Sequence, residues 1–203
     1  MSRSRFDFVT LILVIANVIY FAYNYMQNGM NLIRGSVSSD QLLKVGAMNG
    51  HTAPVSWVTS MFQHASGTHI LMNMLSLVAL APMVVILFDR FSYLIGYMVS
   101  GLVGSIANMM FMPDTVTVGA SGAICGMMGM VVAGALFSAK RQYVDLKDAV
   151  MSVGFMVVST LANPHISITA HFGGLIGGFI IGIILLMIKG LFNNNRMNQQ
   201  EEY

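Results

Sequence analysis

Residues 168–189 read ITAHFGGLIGGFIIGIILLMIK and hold one charged side chain, Lys189, at the last position. A bilayer core about 30 Å thick is crossed by roughly 20 apolar residues of α-helix, so this stretch predicts a membrane span. Similar runs recur near 8–26, 69–88, 91–111, 119–138 and 149–163, the last of these short and poorly bounded. In hydrocarbon each backbone N–H and C=O needs an internal partner, which a helix supplies from within itself. The reading is therefore an all-α membrane protein with six transmembrane helices. Composition agrees: with 56% hydrophobic and 9% charged residues and a mean hydropathy of +0.71, a chain of 203 residues carries more apolar surface than one soluble domain buries. Residues 1–190 form the expected core and 191–203 a polar tail. No small-residue cleavage site follows Tyr20, so the first helix is expected to stay as a span.

Positively charged loops are retained on the cytoplasmic side. With the N-terminus inside, Arg3, Arg5, Arg90, Lys140, Arg141, Lys147, Lys189 and Arg196 fall inside, and Arg34 and Lys44 outside. That asymmetry predicts cytoplasmic N- and C-termini and an even number of spans. All five histidines, His51, His64, His69, His165 and His171, then lie toward the extracytoplasmic half. A formal charge of +2, thinly scattered, gives no argument for nucleic acid. The single cysteine, Cys125, cannot close an internal disulfide and reads as a packing residue. There is no internal repeat of the kind that would favour an inverted-repeat transporter.

Polar groups at membrane depth are costly and tend to mark function. The fourth run opens with Gly119-Ala120-Ser121-Gly122, which sets a hydroxyl at a helix N-terminus. Unpaired N–H groups there suit an oxyanion. Gly122 and Gly126 can equally serve helix packing, and the soluble G-x-S-x-G elbow would require glycine where Ala123 stands. In the sixth run His171 sits in the first turn, ahead of Gly174, Gly178 and Gly182, a four-residue repeat that reads as a packing stripe. His69 and Asn73 open the second run four residues apart, on one helical face. They are either a pair of hydrogen-bond donors to an anion or a polar stitch between helices. The carboxylates all lie at span edges, in loops or in the tail, with Asp114, in the external loop before Ser121, the one candidate to orient His171. A Ser-His dyad therefore fits better than a triad.

In order and separation, Phe62-Gln63-His64 with His69 and Asn73, then Gly119-Ala120-Ser121-Gly122, then Ala170-His171 with Gly174 and Gly178, resemble the rhomboid family of intramembrane serine proteases over almost the whole chain. The resemblance implies a six-helix bundle with a water-filled cavity open to the extracytoplasmic side. It also implies an embedded first external loop, Asn28 to Thr68. It makes Ser121 the nucleophile and His171 the base and acid, with an oxyanion hole from the Ser121 backbone N–H, His69 and Asn73. His64, Gly119 and Gly122 take supporting roles. No cofactor or metal is implied; the partners are single-span or other transmembrane substrates and the lipid bilayer.

Two departures stand out. Val55-Ser56 occupy the place of a Trp-Arg pair that many members carry, and Cys125 stands where an aromatic often packs on the catalytic histidine. Neither removes a reacting group, so an active enzyme is expected. The lack of a transit-like, Arg- and Ser-rich leader and the minimal six-span core favour a bacterial plasma membrane. The same residues admit three rival readings. One is a metalloprotease built on His64, His69 and His171, which lacks an H-E-x-x-H segment. The others are a non-catalytic binder of transmembrane helices and a small transporter or channel.

Overall fold

The computed structural model describes residues 7–162 and 166–201, with side chains described through Gly190. Arg3, Arg5, His165, the end of the fifth run at Asn163 and the side chain of Arg196 lie outside the described residues. The helices, in chain order, are α1 (Phe8–Asn28), α2 (Met30–Arg34), α3 (Ser39–Lys44), α4 (Ser56–Thr59), α5 (Gly67–Leu87), α6 (Arg90–Phe111), α7 (Ser121–Phe137), α8 (Leu146–Ala162) and α9 (Ile168–Glu201). Single 3₁₀ turns follow α4, at Ser60–Phe62, and precede α8, at Arg141–Tyr143. No strand forms among the described residues; Met48 and Thr117 make an isolated antiparallel bridge. Helix α9 continues past Gly190 through residues expected as a tail, since no proline follows to interrupt it.

Four helices, α1, α5, α6 and the Ile168–Gly190 part of α9, are long and apolar enough to cross a membrane. Their outward faces carry Ile12, Ile19, Leu71, Leu75, Ile176 and Ile180, whereas the interior holds Asn17, Ser100 and Asn108, all fully buried. An exterior more apolar than parts of the interior fits a lipid solvent, because hydrocarbon hydrates no polar group and the protein must satisfy such groups inside. This is an integral membrane protein. Helix α7, 17 residues long, is different: most of its side chains are buried on every side, which makes it the central helix of the bundle.

Small residues let the central helices approach backbone to backbone. A Cβ on Gly174 of α9 would stand 2.8 Å from the carbonyl carbon and 3.2 Å from the Cα of Gly122 in α7, and one on Gly104 of α6 would stand 2.6 Å from the Ala170 carbonyl oxygen. Helices α7 and α9 form the most extensive pairing in the molecule, followed by α6 with α9. Hydrogen-bonded caps set the helix starts. Asp7 accepts from Val9 N–H at 3.0 Å, Ser66 Oγ from His69 N–H at 3.0 Å, and Asp89 from Ser92 N–H at 2.8 Å.

One end of the bundle is tied by charge. Arg90 Nε donates to both carboxylate oxygens of Asp7 at 3.2 Å, with its guanidinium 5.4 Å from the Phe8 ring centroid. Lys189 bonds Asp89 and the Phe88 carbonyl, fastening α9 to the α5–α6 turn. Partial burial tends to raise the Asp89 pKa, but the bonds from Lys189 and Ser92 outweigh it and hold the carboxyl below its ordinary range. At the opposite end, the stretch between α1 and α5 is a built structure. Tyr20 Oη donates to the Val45 carbonyl at 2.8 Å, Thr59 Oγ1 to Gly46 at 2.9 Å, Gln63 Nε2 to Leu42 at 3.0 Å and Asn24 Nδ2 to His64 at 3.2 Å.

Candidate active site

Ser121 is the first residue of α7. The chain reaches it through Gly119, whose φ of +115° lies in the region that favours glycine. The Gly119 N–H donates to the Ser60 carbonyl at 2.8 Å, so the approach to α7 is fastened to the loop before α5. The point where a Cβ on Gly119 would stand is 2.7 Å from His69 Nε2 and 3.8 Å from Ser121 Oγ. Glycine at 119 is thus what lets the His69 ring and the serine hydroxyl share one pocket.

His69 lies in the first turn of α5. Its Nδ1 accepts from the Ala65 N–H at 3.5 Å, a long bond that nonetheless favours the tautomer with the proton on Nε2, the nitrogen beside Gly119. The His64 ring meets it edge-on, centroids 5.0 Å apart at 73°. His64 itself is completely buried, and both its ring nitrogens lack a hydrogen-bond partner among the described residues. Burial first, and then the neighbouring His69, push the His64 pKa down to about 3. Asn73 is buried one turn into α5, and its Nδ2 donates to the His69 carbonyl at 2.9 Å, which leaves one amide proton uncommitted.

His171 occupies the first turn of α9, 8% exposed. The turn of α7 that begins at Ser121 packs on the backbone of that turn of α9: a Cβ on Gly122 would sit 3.4 Å from the Ala170 carbonyl oxygen. The helices therefore bring Ser121, His69, Asn73 and His171 to one end of the bundle, at the junction of α5, α7 and α9. The hydrogen bond that the His171 ring makes among the described residues runs from Nδ1 to Thr160 Oγ1, at 2.8 Å, not to Ser121. Bonds between a nucleophile and its base are often long without substrate and tighten when it binds. Asp114, the carboxylate that could have completed a triad, is highly exposed and pairs with His51 at 3.2 Å. Among the described residues no three His, Cys, Asp or Glu side chains converge to hold a metal. Cys125 is buried one turn after Ser121 in α7.

Sequence reasoning missed two polar residues near the site. Asn108, fully buried in α6, accepts from Ser167 Oγ at 2.6 Å and Thr169 Oγ1 at 3.0 Å, and donates to the Thr115 carbonyl at 3.3 Å. Ser167 Oγ in turn accepts from Ala170 N–H at 3.1 Å, so Asn108 anchors the start of the helix that carries His171. The signal was present as an amide within the third apolar run. The second is Thr160, whose hydroxyl position depends on how α8 is rotated against its neighbours.

The family model described as "Rhomboid domain" matches residues 51–188. The Bacillus subtilis (strain 168) protein named "Putative rhomboid protease YdcA" is 30% identical over 185 residues, 89% of each chain. "RHOMBOID-like protein 6, mitochondrial" of Arabidopsis thaliana is 34% identical over 161 residues, 74% of this chain and 51% of the relative. "Rhomboid protease GluP" of Bacillus subtilis (strain 168) is 30% identical over 163 residues, 76% of this chain and 31% of that protein. The chain thus spans nearly all of the first of these relatives but only about half of the second and under a third of the third. The chain belongs to the rhomboid family and, with it, to the serine protease hydrolases.

Proposed function

We propose that this protein is an intramembrane serine endopeptidase that cleaves transmembrane-helix substrates near the extracytoplasmic face through a Ser121–His171 dyad. The observation that carries the reading is the junction of helix ends, with Ser121 opening α7 against the first turn of α9 and His69 Nε2 beside Gly119. In this reading α7 and α8 join the four longer helices as spans, and α7, enclosed by its neighbours, need not match the full bilayer thickness. Basic residues Arg90, Lys140, Arg141, Lys147 and Lys189 lie toward the tied end, which supports reading that end as cytoplasmic in a bacterial plasma membrane and the site as extracytoplasmic. The hydrogen-bonded stretch from 29 to 66 is then the embedded first loop.

A substrate segment enters laterally and unwinds, because a helical carbonyl is already hydrogen-bonded and shielded; Gly in the substrate lowers that cost. Ser121 Oγ attacks the carbonyl carbon as His171 Nε2 takes the hydroxyl proton. The oxyanion is met by the Ser121 N–H, His69 Nε2–H and the free Asn73 amide proton, all neutral donors fixed before the reaction. His171 returns the proton to the leaving amine, and water repeats the sequence on the acyl-enzyme.

The test is co-expression with a panel of single-span substrates, comparing the parent with Ser121→Ala and His171→Ala. Loss of cleavage in both, with folded protein retained in the membrane and fluorophosphonate labelling confined to the serine-containing forms, is the expected result. Undiminished cleavage by Ser121→Ala defeats the assignment.

A further inference from the structure

Helix α8 packs mainly on α7 and touches α9 only sparsely. At its outer end Val158 and Leu161 face outward, and Thr160 alone of these turns inward, 1% exposed. Its Oγ1 lies 2.8 Å from His171 Nδ1 and 3.5 Å from Met156 Sδ, one turn earlier on the same helix. A threonine hydroxyl has one proton and two lone pairs. With the proton directed to the Met156 sulfur, the oxygen is an acceptor for Nδ1–H. The imidazole is then held as the tautomer whose Nε2 lone pair is free for the serine.

We infer that Thr160 is a positioning residue for His171, accepting the Nδ1 proton from outside the dyad in the place a carboxylate holds in a serine-protease triad. The inference rests on the Ser121–His171 reading and adds to it how the base is oriented. Two features make threonine suited to the task. Its β-branched side chain is stiff at χ1, so the oxygen is held with little entropy to lose. Being neutral, it demands no buried charge when His171 is itself neutral, yet its bond strengthens when the ring becomes imidazolium during proton transfer. Cys125 supplies no aromatic face to the histidine, so the Thr160 bond is the polar restraint on the ring that the described residues provide. Because Thr160 comes from a helix that scarcely packs on α9, a shift of α8 would release the base while leaving the α7–α9 contact intact.

The experiment compares the full-length parent with Thr160→Val, which keeps the shape and removes the hydroxyl, and Thr160→Ser, which restores it. Purified proteins are assayed in liposomes on a single-span substrate, with Ser121→Ala as the blank. Loss of a hydrogen bond to a group that becomes charged predicts a fall in kcat of about 10- to 100-fold for Thr160→Val. KM should stay within about 2-fold, fluorophosphonate labelling should slow in parallel, and Thr160→Ser should recover to within about 3-fold. Nitrogen NMR of labelled histidine in the parent should report the His171 proton on Nδ1, and this measurement decides the matter even if Thr160→Val does not fold. Parental kcat in Thr160→Val, equal slowing in both variants, or a parent with its proton on Nε2 overturns the inference. Cleavage by Ser121→Ala would instead overturn the protease reading beneath it.

Discussion

Replacing Gly174 with alanine should damage turnover far more than folding. The new Cβ would lie 2.8 Å from the Gly122 carbonyl carbon and 3.2 Å from its Cα, with the carbonyl oxygen nearer still. Carbon–carbon contacts settle at about 3.5–4.0 Å, so α7 and α9 must separate by about 1 Å at that level. Both obstacles are helical backbone, and no side chain can rotate away to absorb the overlap. Gly122 adjoins Ser121, and Gly174 is one turn from His171, so the separation opens where the proposed dyad must meet. A displacement of about 1 Å can cost about 100-fold in rate, whereas overpacking costs about 1–3 kcal/mol of stability. The assay pairs initial cleavage rates in liposomes with thermal unfolding in detergent. Two further glycines calibrate it. Gly182→Ala brings its Cβ 3.1 Å from that of Ala133, roughly 12 Å farther along α9, and should retain the rate. Gly154→Ala meets nothing within 4 Å in α8 and should gain up to about 1 kcal/mol. A Gly174→Ala enzyme within about 3-fold of the parental rate, or an equal loss in Gly182→Ala, would refute the reasoning.

Gly119→Ala should abolish cleavage and fluorophosphonate labelling together, since its Cβ would need a φ of +115° and would stand 2.7 Å from His69 Nε2. Asn108→Ala strands the Ser167 and Thr169 hydroxyls and should cost about 1–3 kcal/mol; hydrogen exchange should rise first at the start of α9. His64 sets an acid limit on stability. Its folded pKa of about 3 lies below the ordinary 6.5, so the unfolded chain binds the proton more tightly. Its contribution is complete above about pH 6.5 and declines toward pH 3, by at most about tenfold in the folding equilibrium per pH unit. His64→Phe should flatten that part of the unfolding-midpoint profile, and an unchanged profile would refute the assignment.

The long helices were legible because each apolar run exceeds what a strand or soluble helix needs, and because Gly, Asp and Ser punctuate the runs near their ends. The polar residues at the site were legible for the same reason: Ser121, His69 and His171 stand in segments where hydrogen-bonding groups are expensive. What could not be read was rotation and partnership. Thr160 is an unremarkable helical residue until α8 turns it onto His171, and Asn108 reads as a lone amide until Ser167 and Thr169 are brought to it from α9. The stretch between α1 and α5 was equally opaque. Its part around α3 and α4 is held by bonds from Tyr20, Asn24, Thr59 and Gln63 to distant carbonyls, and no local pattern announces such pairings.

The site is thereby suspended between two kinds of constraint with different tolerance for motion. Ser121 and His171 take their separation from glycine backbones in contact, which have no softer degree of freedom to yield. His69, Gly119 and the His171 ring are instead oriented by single hydrogen bonds from the loop before α5 and from α8. An enzyme that must admit a helix from the bilayer needs some element to move. In this arrangement the periphery can do so: bonds to Ser60, Ala65 and Thr160 can break and reform singly, while the α7–α9 contact keeps the proposed Ser121–His171 pair at one distance. Substitutions at that contact should therefore change kcat for every substrate alike, and substitutions among the peripheral bonds should discriminate between substrates that demand more or less opening.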